Sequence, residues 1–339
     1  MSNYKRFFTA ENRCNRCSSR QLHSISLGLC ASCYSTFQRL KRAQNKNGSQ
    51  TFTVSEFIRL CPPRPSRLSA AIAKKFARSE VVPGFLVCGD VTKNLALLVQ
   101  RIAQSDIPVI IEGETGVGKE GVARALHVLS ARNRGKFVPV NCATISHDIA
   151  SSEIFGHRKG SFTGADGHTV GFYGEADGGV IFFDEIEVFP LTLQGSLLRV
   201  LDSGEVRPVG SSRLCSVNVR TIVATNKNIE QLCAEGLFRT DLYQRLNGIT
   251  VRVPPLRERK EEIPVLIQYF LSRCSAPGLT LDDSVRDIFF QYSWPGNIRQ
   301  LKMVIERASI FAREGTITLE HIPEEIRGVQ HGPLLRAVR

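Results

Sequence analysis

The stretch that most constrains this chain is GETGVGKE, Gly113 to Glu120. It follows the short apolar run IPVIIEG and opens the helically periodic segment KEGVARALHVLSAR. A glycine-rich turn between a buried strand and a helix aims its backbone N–H groups, and the positive end of the helix dipole, at an anion. The pattern is that of a P-loop, with Lys119 placed to reach the β- and γ-phosphates of a nucleotide. Gly113, Glu114, Thr115, Gly116, Val117, Gly118, Lys119 and Glu120 are therefore candidate ATP-binding residues. Glu120 stands where a serine or threonine ordinarily meets Mg2+.

A P-loop strand belongs to a parallel sheet. The runs FVPVN, GVIFF and NVRTIVAT alternate with helical segments, which predicts an α/β body with helices on both faces of that sheet. GVIFF ends in Asp184 and Glu185, about 65 residues beyond the P-loop, at the strand end where α/β ligands bind. Asp184 is expected to hold Mg2+ through water, and Glu185 to polarise the attacking water. Thr225 and Asn226 end another strand, where a polar side chain can sense the γ-phosphate, or simply cap a turn. FRTDLYQRL carries Arg239 and Arg245 on a helix, as candidate fingers for a neighbour's nucleotide or as surface ion pairs. After VPPLRERKEEIP the apolar strands stop, and EEIPVLIQYFLSRC, LDDSVRDIFFQ and NIRQLKMVIERASIFA all read as helices. They predict an all-helical lid. In WPGNIRQLK the chain breaks at Pro295–Gly296, and Arg299 follows near a helix start, in reach of phosphate.

The front of the chain has a different texture. Residues 1–80 carry fifteen Lys and Arg against Glu11, Glu56 and Glu80, which accounts for the whole net charge of +12. Such a front suits phosphate contacts, though a solvated tail has the same composition. Within it, Cys14-x2-Cys17 and Cys30-x2-Cys33 are twelve residues apart. Two knuckles at that spacing can place four thiolates around one tetrahedral Zn2+. A unit of this size with few apolar side chains is expected to need the metal to fold. Its basic surroundings permit DNA contact, and docking to a protein is the other reading. Cys61, Cys88, Cys142, Cys215, Cys233 and Cys274 lack metal spacing and are expected to be buried as small hydrophobes. MSNYKRFF lacks the apolar core of a signal peptide, and no run of 18 apolar residues occurs. A cytoplasmic location without a membrane span is predicted, with the thiols reduced.

The hexapeptide GSFTGA, Gly160 to Ala165, cannot build a core. It lies between two of the strands whose ends carry the phosphate-handling residues, so it reads as an insertion. Its glycines permit a movable turn, and an aromatic at the tip of such a turn is a contact for something else.

From about residue 85 to 325 the chain resembles the AAA+ domain of bacterial enhancer-binding proteins, the activators of sigma-54 RNA polymerase. The resemblance rests on GETGVGKE, with Glu after the P-loop lysine, and on GSFTGA, GGVIFFDEI, LLRVL, FRTDLYQRL, VPPLRER and WPGNIRQLK in the family's order. GSFTGA looks like the family's GAFTGA signature with Ser161 for alanine. The resemblance implies an AAA+ P-loop NTPase that uses ATP and Mg2+, and a loop, Gly160, Ser161, Phe162, Thr163, Gly164 and Ala165, that contacts sigma-54. It makes Glu120 and Asn141 a candidate switch between nucleotide and loop. It also makes Arg239 and Arg245 trans-acting, so that the working form is a homo-oligomeric ring, a hexamer.

The expected organisation is a four-cysteine zinc module over 1–40, a basic linker with a short helix over 41–84, and an α/β subdomain over 85–254. A helical lid over 255–325 and a tail over 326–339 follow. Two features depart from the family pattern. The tail carries no helix-turn-helix, and a zinc-knuckle unit stands where relatives have a receiver or ligand-sensing domain. The competing expectation is an AAA+ remodeller or nucleotide-switch adaptor acting on another client through the zinc module.

Overall fold

Five parallel strands carry the site, and the order in which they line up decides which residues meet. The computed structural model describes residues 79–328 apart from 83, 147, 163–164, 275–278 and 313–314. All of these lie in the second of the chain's two units, Phe76–Arg339. Cys14, Cys17, Cys30, Cys33, Cys61 and the loop residues Thr163 and Gly164 lie outside the described residues.

A hairpin opens the described chain: β1 (Ser79–Val82) pairs antiparallel with β2 (Phe85–Val87). The α/β body therefore starts inside the stretch expected to be linker, and its first strand, SEVV, is too short and too polar at one end to read as a strand alone. Helix α1 (Asp90–Ala103) buries Leu95, Ala96, Val99, Ile102 and Ala103 along one stripe. Then come β3 (Val109–Glu112), α2 (Lys119–Val128) and β4 (Phe137–Asn141). Short helices α3 (Ala150–Phe155) and α4 (Gly171–Glu175) flank the GSFTGA segment before β5 (Val180–Asp184). Helix α5 (Leu191–Ser203) leads into a small antiparallel hairpin, β6 (Glu205–Val206) with β7 (Cys215–Ser216). The central strand β8 (Arg220–Thr225), helices α6 (Ile229–Ala234) and α7 (Thr240–Leu246), and β9 (Ile249–Arg252) complete the body.

The sheet order is β4-β5-β8-β3-β9, all parallel. Side chains alternate across it as the period of two requires. Ile181 and Phe183 of β5 join one core with Ile110 and Val223. Val180 and Phe182 join the other with Val109, Ile111, Ile222 and Ala224. Because both faces are covered, β8 is buried along its whole length. The register puts Asn141 beside Asp184, and Glu112 between Thr225 and Arg252. The polar ends of five apolar strands thus form one edge.

The lid packs α8 (Ile263–Leu271), α9 (Asp283–Gln291), α10 (Asn297–Phe311) and α11 (Glu324–Arg327) around Trp294, which is fully buried against Phe289 and Tyr292. It is not all-helical as expected. β10 (Thr280–Leu281) and β11 (Thr316–Ile317) form a two-residue parallel pair that buries Leu281 and Ile317. A two-residue strand has no periodicity to read. A second correction concerns the cysteines. Cys142 is buried and Cys88, Cys233 and Cys274 are partly so, but Cys215 is exposed on the β6–β7 hairpin. That hairpin is too short to cover both of its own faces.

Candidate functional site: a phosphate-binding cleft and a projecting loop

A cleft of about 640 Å³ lies between the sheet edge and the lid. Thr115, Gly116, Val117, Gly118, Lys119 and Glu120 line one wall, Asp184 and Glu185 the floor, and Arg299 the lid side. Phe85, Leu86, Leu266, Tyr269, Phe270 and Ile298 supply an apolar end. The shape is that of a site for a flat base with a charged tail.

The P-loop is built on close approach. Gly116 has φ +81, and a Cβ there would collide with the Gly296 carbonyl of the lid. The Arg299 N–H donates to Gly116 O at 3.3 Å, so lid and loop touch through backbone at that point. Lys119 Nζ donates to Gly113 O (2.8 Å) and Glu114 O (3.2 Å) within its own loop. Burial lowers the pKa of this ammonium, with Asp184 as its chief opposing charge. The same burial raises Asp184, opposed mainly by Lys119. Two half-desolvated ions of opposite sign at a strand end suit a phosphate and a hard cation that accepts oxygen ligands.

Glu185 has φ +55, a left-handed conformation that a residue with a Cβ adopts only at a cost of about 1–2 kcal/mol. The turn aims its N–H at Asp184 Oδ1, 3.0 Å away, and so fixes that carboxylate. Asn226 donates from Nδ2 to Thr115 Oγ1 at 3.1 Å, which ties the end of β8 to the P-loop. Asn141 and Glu120 are not brought together. Asn141 Oδ1 accepts from Ala143 N–H at 2.9 Å, and Glu120 pairs with Arg124 at 2.7 Å on the same helix.

Arg239 and Arg245 do not line the cleft. Arg239 precedes α7, is exposed and is bound to Asp241 (2.7 Å); Arg245 is bound to Asp202 (3.0 Å). Both are on the outer surface of the α/β body.

Several site residues escape a linear reading. Asn297 is fully buried at φ +51. It donates to Glu114 Oε2 (3.1 Å) and Thr115 O (3.0 Å) and accepts the Leu256 N–H (2.8 Å). Arg257 grips Glu114 with two hydrogen bonds, of 2.6 and 2.9 Å. Buried Arg259 donates to Val117 O and faces Glu262, which in turn accepts from Thr92 at the start of α1. WPGN marks a helix start, but nothing local shows that its asparagine reaches a loop about 180 residues earlier.

The GSFTGA segment leaves the body between β4 and β5. Phe162 is 41% exposed and meets His157 edge-on at 5.1 Å. Gly160 has φ +80, and a Cβ placed there would meet nothing within 4 Å, so the turn is open on that side. Ser161 Oγ donates to Arg158 O, and the Ser161 Cβ would lie 2.5 Å from any Cβ at Gly210 of the β6–β7 hairpin. Gly160 N–H to Ala165 O closes the base of the loop, and Ala165 is buried.

The chain matches the sigma-54 interaction domain over residues 88–252 and the AAA+ ATPase lid domain over residues 257–334. It is 44% identical over 253 residues to the transcriptional regulatory protein ZraR of Klebsiella oxytoca, covering 72% of this chain and 56% of that protein. The crystal structure of NtrX from Brucella abortus superposes with a TM-score of 0.67 at 30% identity, covering 87% of this chain and 68% of that one. NtrX in complex with ATP gives 0.68 at 30% identity, over 84% and 64%. The chain spans about half the length of the curated relatives it matches. With its P-loop, acidic strand end, lid and GSFTGA segment in one body, the chain belongs to the bacterial enhancer-binding protein family.

Proposed function

We propose that this chain is an ATPase that activates sigma-54 RNA polymerase, coupling ATP hydrolysis in a ring to remodelling of the closed promoter complex. One observation carries the reading. Lys119, Asp184, Glu185 and Arg299 line a single cleft, while Phe162 stands exposed on an insertion of the same body and outside that cleft.

In this reading the P-loop N–H groups, Lys119 and Arg299 bind the phosphates. Mg2+ held beside Asp184 supplies charge neutralisation of the phosphate oxygens. Glu185 orients and polarises the attacking water, and Asn226, hydrogen-bonded to Thr115, reads whether the γ-phosphate is present. Arg239 and Arg245 act on the neighbouring subunit's nucleotide, which their exposure and distance from the cleft wall support. Asn141, in register with Asp184, and Glu120 relay that state to the loop, Glu120 exchanging its partner Arg124 on the way. Gly160, Ser161, Phe162, Thr163, Gly164 and Ala165 then meet sigma-54.

The spacing of Cys14, Cys17, Cys30 and Cys33 supports a Zn2+ site in the basic front, with DNA as the partner its charge favours. Metal analysis of the purified chain tests the first half; a stoichiometry near zero removes it. The cytoplasm is the compartment proposed for such a regulator. Among the described residues no helix is long and apolar enough to cross a membrane.

The deciding experiment is open-complex formation by sigma-54 polymerase on promoter DNA, with and without ATP. Phe162→Ala should keep ATP hydrolysis within about twofold and lose open complex, because an exposed side chain outside the cleft contributes to the client contact alone. Melting of promoter DNA by this variant at the normal rate would remove the loop's assigned role.

A further inference from the structure

The second residue of the P-loop is an acid, and a carboxylate has the wrong charge for a loop that takes phosphates. Glu114 does not line the cleft, although Thr115 beside it does. Its carboxylate turns instead to the segment that joins the α/β body to the lid. Oε1 accepts from Arg257 Nη2 (2.6 Å), and Oε2 accepts from both Arg257 Nη1 (2.9 Å) and Asn297 Nδ2 (3.1 Å). Arg257 holds the Glu114 carboxyl below its ordinary pKa, and Asn297 adds to the effect.

Asn297 opens helix α10. It also donates to Thr115 O (3.0 Å) and accepts the N–H of Leu256 (2.8 Å), the residue before Arg257. Arg257, Glu114, Asn297 and Leu256 therefore close a circuit that passes through the P-loop, the helix start and the joining segment. Asn297 is fully buried, whereas the side chains of Arg257 and Glu114 are 44% and 42% exposed, so their pair is the link that can open. Two residues after Asn297, Arg299 lines the cleft. Its N–H donates to Gly116 O, and a Cβ on Gly116 would lie 3.0 Å from the Arg299 Cβ, so the root of this side chain rests on the P-loop. Its guanidinium has no hydrogen bond or ion pair among the described residues. With its tip unheld, Arg299 is aimed by the seating of the turn that carries it.

We propose that Arg257 is a positioning residue for Arg299: by clamping the Glu114 carboxylate it keeps Asn297, and with it the first turn of α10, seated on the P-loop so that the Arg299 guanidinium meets the phosphates. The inference rests on the ATPase reading, in which Arg299 binds phosphate. Arg257 itself lies outside the cleft. A fork of two N–H bonds fixes a carboxylate in rotation as well as in place, which a single ammonium contact does not. Because the fork and the Asn297 amide share Oε2, a Glu114 released by Arg257 no longer presents that oxygen to Asn297. The amide keeps its bonds to Thr115 and Leu256, so the lid stays folded while the aim of Arg299 suffers.

The test is equilibrium binding of N-methylanthraniloyl-ATP, with Mg2+, to the full chain. Wild type is compared with Arg257→Ala, Arg257→Lys, Arg299→Ala and the double variant Arg257→Ala/Arg299→Ala, beside thermal melts. Arg299→Ala should weaken binding roughly thirtyfold, the scale of a hydrogen bond to a charged group. Arg257→Ala should weaken it roughly fivefold, a part of the same contact, and leave Tm within about 2 °C of wild type because the pair it removes is exposed. Arg257→Lys keeps the charge and gives up the fork, so it should lose about as much. The double variant should bind no more weakly than Arg299→Ala, because a positioning residue then has nothing to position. A double variant about 150-fold weaker than wild type, the product of the two single losses, would mean that Arg257 acts apart from Arg299, which overturns the proposal. Wild-type affinity in Arg257→Lys would reduce the pair to charge neutralisation and overturns it too, as does wild-type affinity in Arg299→Ala. Wild type that fails to bind the probe overturns the ATPase reading itself, whereas wild type that binds it, with the two losses multiplying, leaves that reading standing.

Discussion

Asp184 and Lys119 share one burial and bear opposite consequences of it. Desolvation raises the carboxylate and lowers the ammonium, each the other's chief compensation. A carboxylate whose folded pKa is raised stabilises the fold at low pH and loses that contribution as pH rises through the raised value. In its ionised form Asp184 is therefore a local liability, which its proposed place beside the cation accounts for. Asp184→Asn should melt above wild type without nucleotide while losing hydrolysis. Solvent screening at this half-buried position keeps the gain below about 1 kcal/mol, on the order of 2 °C in Tm for a body of this size. Differential scanning fluorimetry beside an ATPase assay checks the pair; a lower Tm would mean that the carboxylate is stabilising instead. The left-handed backbone of Glu185 is a cost of the same kind, borne where a strand must turn sharply to present two acids at once.

At the scale of elements, the hinge between sheet and lid is held by a few polar side chains. Asn297, at the start of α10, bonds to Glu114, Thr115 and Leu256, and so links the P-loop, the lid and the segment joining them. Asn297→Ala leaves the buried Leu256 N–H without its acceptor, at about 1–3 kcal/mol. The φ of +51 adds roughly 1 kcal/mol, because alanine tolerates that region less well than asparagine. A lower Tm and weaker ATP binding are expected together, measured by thermal melts and titration. Intact ATP affinity in a destabilised variant would show that the lid docks without this residue. The same contacts show where a linear reading ends. β3, β5 and β8 were legible because strands covered on both faces are runs of apolar residues closed by a polar one. The P-loop and Asp184–Glu185 were legible because their chemistry is local in sequence. The latch was not: Glu114 and Arg257 meet across 143 positions, and each alone is an ordinary surface charge. The β10–β11 pair, with two residues per strand, was below the length at which period two can be seen.

At the scale of the whole molecule, the function proposed above leaves one chain with an incomplete site. Its cleft has Lys119 and Arg299 on the phosphate side, while Arg239 and Arg245 face outward, each bound to an acid of its own surface. Arg239 is held to Asp241 by two hydrogen bonds, and that pairing raises its pKa. An exposed ion pair of this kind is weak, so in the proposed ring a neighbour's γ-phosphate would displace Asp241 readily. A finger of this type typically contributes on the order of 10³-fold or more to turnover. Two inactive variants should therefore repair each other. Lys119→Ala lacks a working P-loop but offers an intact Arg239; Arg239→Ala lacks the finger but keeps its P-loop. Each alone should be nearly inactive, and hydrolysis by wild type should rise per subunit with concentration as rings form. In an equimolar mixture, an interface that joins the P-loop of an Arg239→Ala subunit to the Arg239 of a Lys119→Ala subunit is complete. If neighbours are drawn at random, about a quarter of the interfaces are of this kind, so the mixture should recover up to roughly that share of wild-type turnover if each interface fires alone. A mixture no more active than its parts, with rings present by light scattering, would assign Arg239 to its own chain. Recovery would establish that the ATPase unit is the interface between two chains.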